Sequence, residues 1–111
     1  MIPFSNLAAE HFAIRDEIDT AISRVIDSGE FVLGSHVAEF EKSFSDFCGT
    51  NHAVGVNSGT SALHLALLAA GIQAGDEVIT VSMTFTATVA AVIYARAIPV
   101  MVDVDPISWT I

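Results

Sequence analysis

The alternation of short apolar runs with helix-like segments of roughly 11 residues most constrains the fold of this chain. The apolar runs are residues 53–56, 77–81 and 100–104, and the helix-like segments between them are residues 61–70 and 85–95. This alternation predicts a parallel βαβαβ sheet with right-handed crossovers over about residues 53–104. The runs are apolar on both faces, which is typical of buried parallel strands. The sequence therefore predicts an α/β fold.

Two helical patterns precede the predicted sheet. The first, about residues 7–27, has Asn6 as a candidate N-cap and Gly29 at the position after its end. The second, about residues 36–48, carries phenylalanines on one face and ends before Gly49. The side chains that line the buried face of the first helix are predicted to be Ile14, Ile18, Ala21, Ile22 and Val25.

The composition is unusually apolar for a complete small domain. Hydrophobic residues make up 52% of the 111 residues, and the mean hydropathy is +0.60. A membrane span needs roughly 18 consecutive apolar residues, but His64 and Arg96 interrupt the best candidates. We therefore expect no membrane partner and favour an interior segment of a larger α/β protein, whose remainder would cover the apolar faces.

Charge and cysteine content exclude several other classes. The formal net charge is −9 with four cationic side chains, so nucleic-acid binding through a basic patch is not expected. The first residues lack the basic region and apolar core of a signal peptide, so a cytoplasmic setting is expected. Cys48 is the only cysteine, which rules out an intrachain disulfide, and we predict that it is a small buried side chain. The histidines show no metal-ligand spacing, so no metal site is predicted.

The turn Ser58-Gly59-Thr60-Ser61 lies between a predicted strand and a predicted helix. A helix N-terminus offers unpaired N–H groups and a partial positive charge to an anion such as phosphate, and glycine permits close approach. Local sequence equally permits a simpler interpretation, in which Ser58 or Thr60 only caps the helix. The motif is neither GxGxxG nor a P-loop, so dinucleotide and nucleoside-triphosphate sites are not indicated.

The second candidate is Phe85, which opens the next helix after Thr84. An aromatic ring beside an anion site can stack on a flat heteroaromatic ligand, although Phe85 could instead belong to the core. Parallel strands place both turns at one sheet edge. Together the two turns favour a phosphorylated aromatic cofactor. Asp103 and Asp105 could form a carboxylate pair there, but a turn that ends the strand is the favoured interpretation.

Several motifs in this order resemble the DegT/DnrJ/EryC1/StrS family of sugar aminotransferases, along nearly the whole chain. The opening Ile2-Pro3-Phe4 is similar to the family's start, and Asn57 to Leu63 resembles its phosphate turn. The other similar segments are Gly34 to Val37, Phe40-Glu41, Phe47 to Gly49, Gly75 to Ile79, Thr84 to Thr88 and Pro99 to Asp105.

The resemblance implies the N-terminal part of the large domain of a fold type I transferase that depends on pyridoxal 5'-phosphate (PLP). It implies that Gly59, Thr60 and Ser61 bind the cofactor phosphate and that Phe85 sits against the pyridine ring. It further implies a homodimer that moves an amino group from glutamate, the amino-acid donor, to a keto carbon of a nucleotide-sugar substrate. A PLP-dependent sugar dehydratase and a non-catalytic or regulatory relative stay open as alternatives.

Two departures from the family pattern bear on activity and local structure. The family's Schiff-base lysine and the aspartate facing the pyridine nitrogen come later than Ile111, so no catalytic residue is assigned in this chain. Lys42, the only lysine, is predicted to be a surface residue. The 111-residue chain alone is therefore predicted to be inactive. Arg96 stands where the family often has a helix-ending glycine, which would tolerate a positive φ more readily.

Overall fold

The computed structural model describes residues 4–111. They form two compact units, divided between Gly55 and Val56. Ile2 and Pro3, which the resemblance assigns to the family's start, lie outside the described residues. The first unit contains α1 (Leu7–Ala13), α2 (Arg15–Ser28) and α3 (Ser35–Cys48). The second contains α4 (Gly59–Ala69), β1 (Glu77–Val81), α5 (Thr86–Tyr94) and β2 (Ile98–Val102).

The single helix predicted over residues 7–27 is in fact two helices, α1 and α2. They are separated at Ile14, whose φ of −119° and ψ of 20° leave the helical region. The Ile14 N–H donates to the His11 carbonyl at 3.2 Å, in a tight turn that ends α1. Ile22 on the predicted buried face is 52% exposed. Periodicity alone missed this break because the apolar period continues across it, and little packing holds the two helices in line.

The start of α3 depends on a carboxylate supplied by Glu30. Gly34 is the N-cap and has no side chain to offer, so Glu30 Oε2 accepts from the Ser35 N–H at 2.9 Å and the Ser35 hydroxyl at 2.8 Å. These bonds hold the pKa of Glu30 below its ordinary value, with the backbone N–H as the larger cause. The helix ends as predicted at Cys48, before Gly49 in the left-handed region. Cys48 is exposed rather than buried, since it occupies the last position of a helix with an uncovered side.

The strand predicted over residues 53–56 does not form. A strand requires a backbone ladder with a neighbour, and the sheet within residues 4–111 consists of β1 and β2 alone. The Gly55 N–H instead donates to the Glu41 carboxylate of α3 at 2.7 Å, and Val54 is 77% exposed. The predicted βαβαβ order is therefore corrected to α4–β1–α5–β2, while the α/β class with a parallel sheet after helices stands.

The parallel ladder runs in register from Glu77 opposite Ile98 to Val81 opposite Val102. The strand β1 has the predicted bounds, whereas β2 lies two residues earlier than the predicted 100–104. The ladder starts early because the Ile98 N–H donates to the Asp76 carbonyl at 2.7 Å, before Pro99 with its missing N–H.

A small core of short side chains joins α4, α5 and the sheet. Its buried apolar residues are Ala91, Val92, Ala95 and Ala97, and Leu67, Ile72 and Val78 pack against them. Leu63 and Leu67 of α4 line an apolar cavity together with Thr88 and Val92 of α5, and Leu67 packs against the buried cluster that contains Val92. Since α5 directly follows β1, its N-terminus lies at the carboxyl end of that strand.

Many large apolar side chains of the described residues are exposed to solvent. They include Phe12, Phe47 and Ile107, each more than four-fifths exposed. This exposure agrees with an interior segment whose apolar faces other residues cover. Among residues 4–111, no helix combines the length and the apolar character needed to cross a bilayer.

Arg96 adopts the left-handed backbone that a glycine would tolerate better. Its φ is 59°, and its N–H donates to the Ile93 carbonyl at 2.9 Å. The Ala97 N–H then donates to the Val92 carbonyl at 3.1 Å, which completes a Schellman ending for α5. The departure at Arg96 put this turn in doubt, but the structure keeps the geometry that a glycine would favour, and Arg96 carries its conformational cost.

Candidate functional site

Ser58 is the N-cap of α4, with an extended backbone. Its hydroxyl oxygen accepts from the Ser61 N–H at 3.1 Å and lies 3.0 Å from the Ser61 hydroxyl. The Ala62 N–H donates to the Ser58 carbonyl at 3.0 Å. The capping interpretation is therefore correct for Ser58, and the cap uses one of the four N–H groups that a helix start leaves unpaired.

The next two N–H groups, on Gly59 and Thr60, take part in no hydrogen bond within the part of the chain that is described. Gly59 is exposed, and a Cβ built on it meets no heavy atom within 4 Å. Its φ is not in the left-handed region, so neither backbone strain nor packing requires glycine here. Thr60 and Ser61 are half-buried beside it. The α4 start thus presents two N–H donors and open space to an anion.

Phe85 is the N-cap of α5 and is 77% exposed, so it is not a core residue in the described chain. It has no side-chain oxygen, and α5 accordingly starts without a side-chain cap. On either side of it, the hydroxyls of Thr84 and Thr88 are joined by a hydrogen bond of 2.9 Å. Since α5 directly follows β1, Phe85 lies at the carboxyl end of that strand, in the same unit as Gly59.

The corner after β2 is a turn, as favoured from the sequence. Asp105 Oδ1 accepts from the N–H groups of Ser108 at 2.7 Å and Ile107 at 2.9 Å. These bonds, with a third from the Ser108 hydroxyl, hold the pKa of Asp105 below its ordinary value. Asp103 accepts from the Val104 N–H at 2.9 Å. Both carboxylates therefore stabilise their own turn and do not form a pair.

Two features of the site escaped the sequence reasoning. The first is that the residues of the α4 turn have different roles. Ser58 caps the helix, and the N–H groups of the next two residues stay free. A serine directly before Gly59, three residues ahead of Ser61, is the signal that could have shown it. The second is the Thr84–Thr88 hydrogen bond, whose only signal is the spacing of four residues across Phe85.

Residues 13–111 match the sequence model of the DegT/DnrJ/EryC1/StrS aminotransferase family. The chain belongs to this family. It is 49% identical over 102 residues to a protein of Streptomyces venezuelae named dTDP-3-amino-3,4,6-trideoxy-alpha-D-glucose transaminase, covering 92% of this chain and 27% of that one. The chain thus spans less than a third of the length of this family member.

Solved structures of family members superimpose closely on the chain. A DegT DnrJ EryC1 StrS aminotransferase from Brucella abortus has a TM-score of 0.91 at 39% identity, covering 98% of this chain and 29% of that one. NtdA from Bacillus subtilis, crystallised with bound cofactor PMP, has a TM-score of 0.79 at 34% identity over 82% of this chain and 21% of that one. The chain therefore has the fold of the corresponding part of these proteins, consistent with a partial fold type I domain.

Proposed function

We propose that this chain is the N-terminal segment of a PLP-dependent aminotransferase that moves an amino group from glutamate to a nucleotide-linked keto-sugar. The observation that carries the proposal is the open start of α4, where Gly59 and Thr60 present free N–H groups and nothing lies within 4 Å of a Cβ at Gly59. The experiments use a polypeptide that we call the complete enzyme. It is either this chain extended to the length of its relatives or a chimera of this chain with the remainder of the Streptomyces transaminase.

The phosphate of the cofactor fits the α4 start on charge and on hydrogen bonding. The helix macrodipole places partial positive charge there, and phosphate oxygens accept from the N–H groups of Gly59 and Thr60. The hydroxyls of Thr60 and Ser61, both half-buried beside these donors, supply further hydrogen bonds. The absence of a side chain at Gly59 lets the phosphate approach the backbone closely.

The pyridine ring of the cofactor fits against Phe85. The phenyl ring is 77% exposed and is held at the first turn of α5, and we propose that it lies beside the α4 start. Stacking of a phenyl ring on a pyridine ring uses the face that this exposure leaves available. Four residues, Gly59, Thr60, Ser61 and Phe85, are thus proposed to bind and orient the cofactor, which when bound supplies an electron sink for amino transfer.

Relatives support the choice of cofactor and substrate. PMP, which NtdA holds, is the amine form of PLP, and the Streptomyces relative is named for a dTDP-linked amino sugar. Lys42 is exposed and ion-paired with Asp46 at 2.5 Å, in the unit that does not contain the α4 start. The lysine that holds the cofactor is therefore proposed to lie in the remainder of the complete enzyme. A cytoplasmic homodimer is proposed on the family resemblance alone.

The proposal is tested by the substitution Thr60→Leu in the complete enzyme. Loss of the hydroxyl and added bulk should weaken PLP binding at least about ten-fold, as for a hydrogen bond to a charged group. Thr60→Ser should keep the affinity for PLP. Thr60→Leu should not change the affinity for pyridoxal, which lacks the phosphate. An unaltered PLP affinity in Thr60→Leu overturns the phosphate assignment. A histidine in place of the later lysine would instead indicate the dehydratase alternative.

A further inference from the structure

We infer that Thr84 and Thr88 are positioning residues, whose shared hydrogen bond fixes the direction of the Phe85 ring. This inference rests on the proposed function, because the ring is worth positioning only if a cofactor stacks on it. We call these two residues the threonine pair. Their hydroxyl oxygens are 2.9 Å apart, and Phe85 lies between them in the sequence at the start of α5.

Phe85 is a poor residue for the position that it occupies. A helix N-cap favours serine, threonine, aspartate or asparagine, whose oxygen accepts from a free N–H of the first turn. Phe85 makes no such bond, and its ring is 77% exposed instead of packed in a core. A residue that satisfies neither the helix nor the core is the kind of local inconsistency expected at a functional site.

The backbone on both sides of Phe85 is fixed without any contribution from its ring. The Thr84 N–H donates to the Ser82 carbonyl at 3.0 Å, and the Thr88 N–H donates to the Phe85 carbonyl at 3.0 Å. The hydrogen bond between the side chains of the threonine pair spans the same residue. These three bonds hold the Cα–Cβ bond of Phe85 in one direction, which limits the positions that the rotamers of the ring can reach.

The threonine pair connects an exposed turn to the packed side of α5. Thr84 is exposed, whereas Thr88 is half-buried and lines the apolar cavity beside Leu63 and Ala91. Both side chains are β-branched and therefore restricted in χ1, so a hydrogen bond between them holds a well-defined geometry. The pair thereby connects Thr84, the residue directly before Phe85, to the packed side of α5.

The test uses the complete enzyme loaded with PLP and the substitutions Thr84→Val and Thr88→Val, which keep shape and remove the hydroxyl. PLP is achiral, so its visible circular dichroism arises from a fixed orientation in the protein. We expect both variants to lose ellipticity per bound cofactor and to bind PLP about three- to ten-fold more weakly. The double variant should lose no more than either single variant, since both remove one hydrogen bond.

Three comparisons separate positioning from a merely structural effect. Thr86→Val is the matched control, because Thr86 is exposed, lies in the same turn and makes no side-chain hydrogen bond among the described residues. Thr84→Ser keeps the hydroxyl and should match the unsubstituted enzyme, even if a valine variant fails to fold. The affinity for inorganic phosphate, measured without PLP, should be unchanged in all variants, because the α4 start is intact.

Each outcome bears on the inference. If the valine variants at 84 and 88 behave like Thr86→Val, or if their losses add in the double variant, the threonine pair does not position the ring. If Thr84→Ser loses ellipticity as Thr84→Val does, the hydroxyl is not responsible. An unsubstituted complete enzyme that takes up no PLP overturns the proposed function as well, so the two failures are distinguishable.

Discussion

The Ser58 hydroxyl oxygen lies 3.1 Å from the Ser61 amide nitrogen and accepts its hydrogen bond. This cap satisfies the third residue of α4, while the N–H groups of Gly59 and Thr60 stay available. Capping and phosphate binding are therefore compatible functions of one turn, carried by different atoms. They can be separated by substitutions that change one and spare the other.

Ser58→Asp should keep the cap and disrupt the phosphate site. Aspartate caps as well as serine, so the stability of the cofactor-free complete enzyme should stay within about 0.5 kcal/mol. Its carboxylate would repel a bound phosphate by about 1–4 kcal/mol at close range, so PLP affinity should fall at least about ten-fold. Thermal denaturation and a PLP titration measure the two effects. Ser58→Asn, which caps without charge, is the control, and equal PLP affinities in both variants would contradict the assignment.

Gly59→Ala should weaken ligand binding without a loss of stability. The added Cβ meets no protein atom within 4 Å, so the cofactor-free complete enzyme should lose no stability and gain up to about 1 kcal/mol of helix propensity. PLP affinity should nevertheless fall, because the Cβ occupies the approach to the phosphate. Gly71→Ala, at a φ of 84°, should instead cost about 1–2 kcal/mol of stability. Tighter PLP binding in Gly59→Ala is incompatible with the proposed site.

Arg96→Gly should stabilise the protein. The left-handed backbone at φ 59° favours glycine, so we expect a gain of about 1 kcal/mol in the free energy of unfolding. Ala95→Gly is the matched control one residue earlier, where φ is −72° and the side chain is buried. That control should lose about 1 kcal/mol or more. Urea denaturation of the complete enzyme measures both, and a destabilised Arg96→Gly would argue for a contact made by the arginine.

The turn at Asp105 should loosen in acid. Bonds from the Ser108 and Ile107 N–H groups lower the pKa of Asp105 from its ordinary value of 3.8. A lowered pKa means that the stabilisation is present above pH 3.8 and is lost as the pH falls through the value in the folded protein. Hydrogen exchange of the Ile107 and Ser108 amides should show this loss, with the Ala97 amide as a reference for global unfolding. Asp105→Asn should remove the pH dependence, and an unchanged acid profile in that variant would exclude this cause.

The 111-residue chain alone should not transaminate. Its only lysine, Lys42, is exposed and paired with Asp46, and the buried apolar core within residues 4–111 consists of four small or medium residues. Incubation with PLP, glutamate and a keto-sugar nucleotide should therefore yield no amino sugar, whereas the complete enzyme assayed in parallel should. Measurable turnover by the chain alone would refute this expectation.

Local sequence predicted most helices and both strands because each has a strong period and a clear ending. Gly49 ends α3 as expected, and β1 has the predicted bounds of 77–81. The break at Ile14 and the unformed strand at 53–56 were missed because both depend on neighbours. A periodic apolar face indicates a helix whether or not anything covers it, and an apolar run becomes a strand only beside a partner.

For the candidate site, the sequence identified the two turns by their positions before predicted helices. Parallel order predicts that Gly59 and Phe85 lie at one sheet edge, but the strand expected before Ser58 is absent from the sheet, so this placement stays a prediction. The choice of Ser58 over Thr60 as the cap, and the threonine pair, depend on individual rotamers. Neither period nor composition determines a rotamer, so these details required the structure.

The buried residues of α5 include two alanines with different surroundings. Ala91 and Ala95 are both almost fully enclosed, but Ala91 lines the apolar cavity between the helices and the sheet, whereas Ala95 does not. A larger side chain at Ala95 would therefore require α5 to shift, and Phe85, as the residue before the helix, would move with it. Such a substitution would act on the aromatic ring indirectly, through the helix that carries both residues.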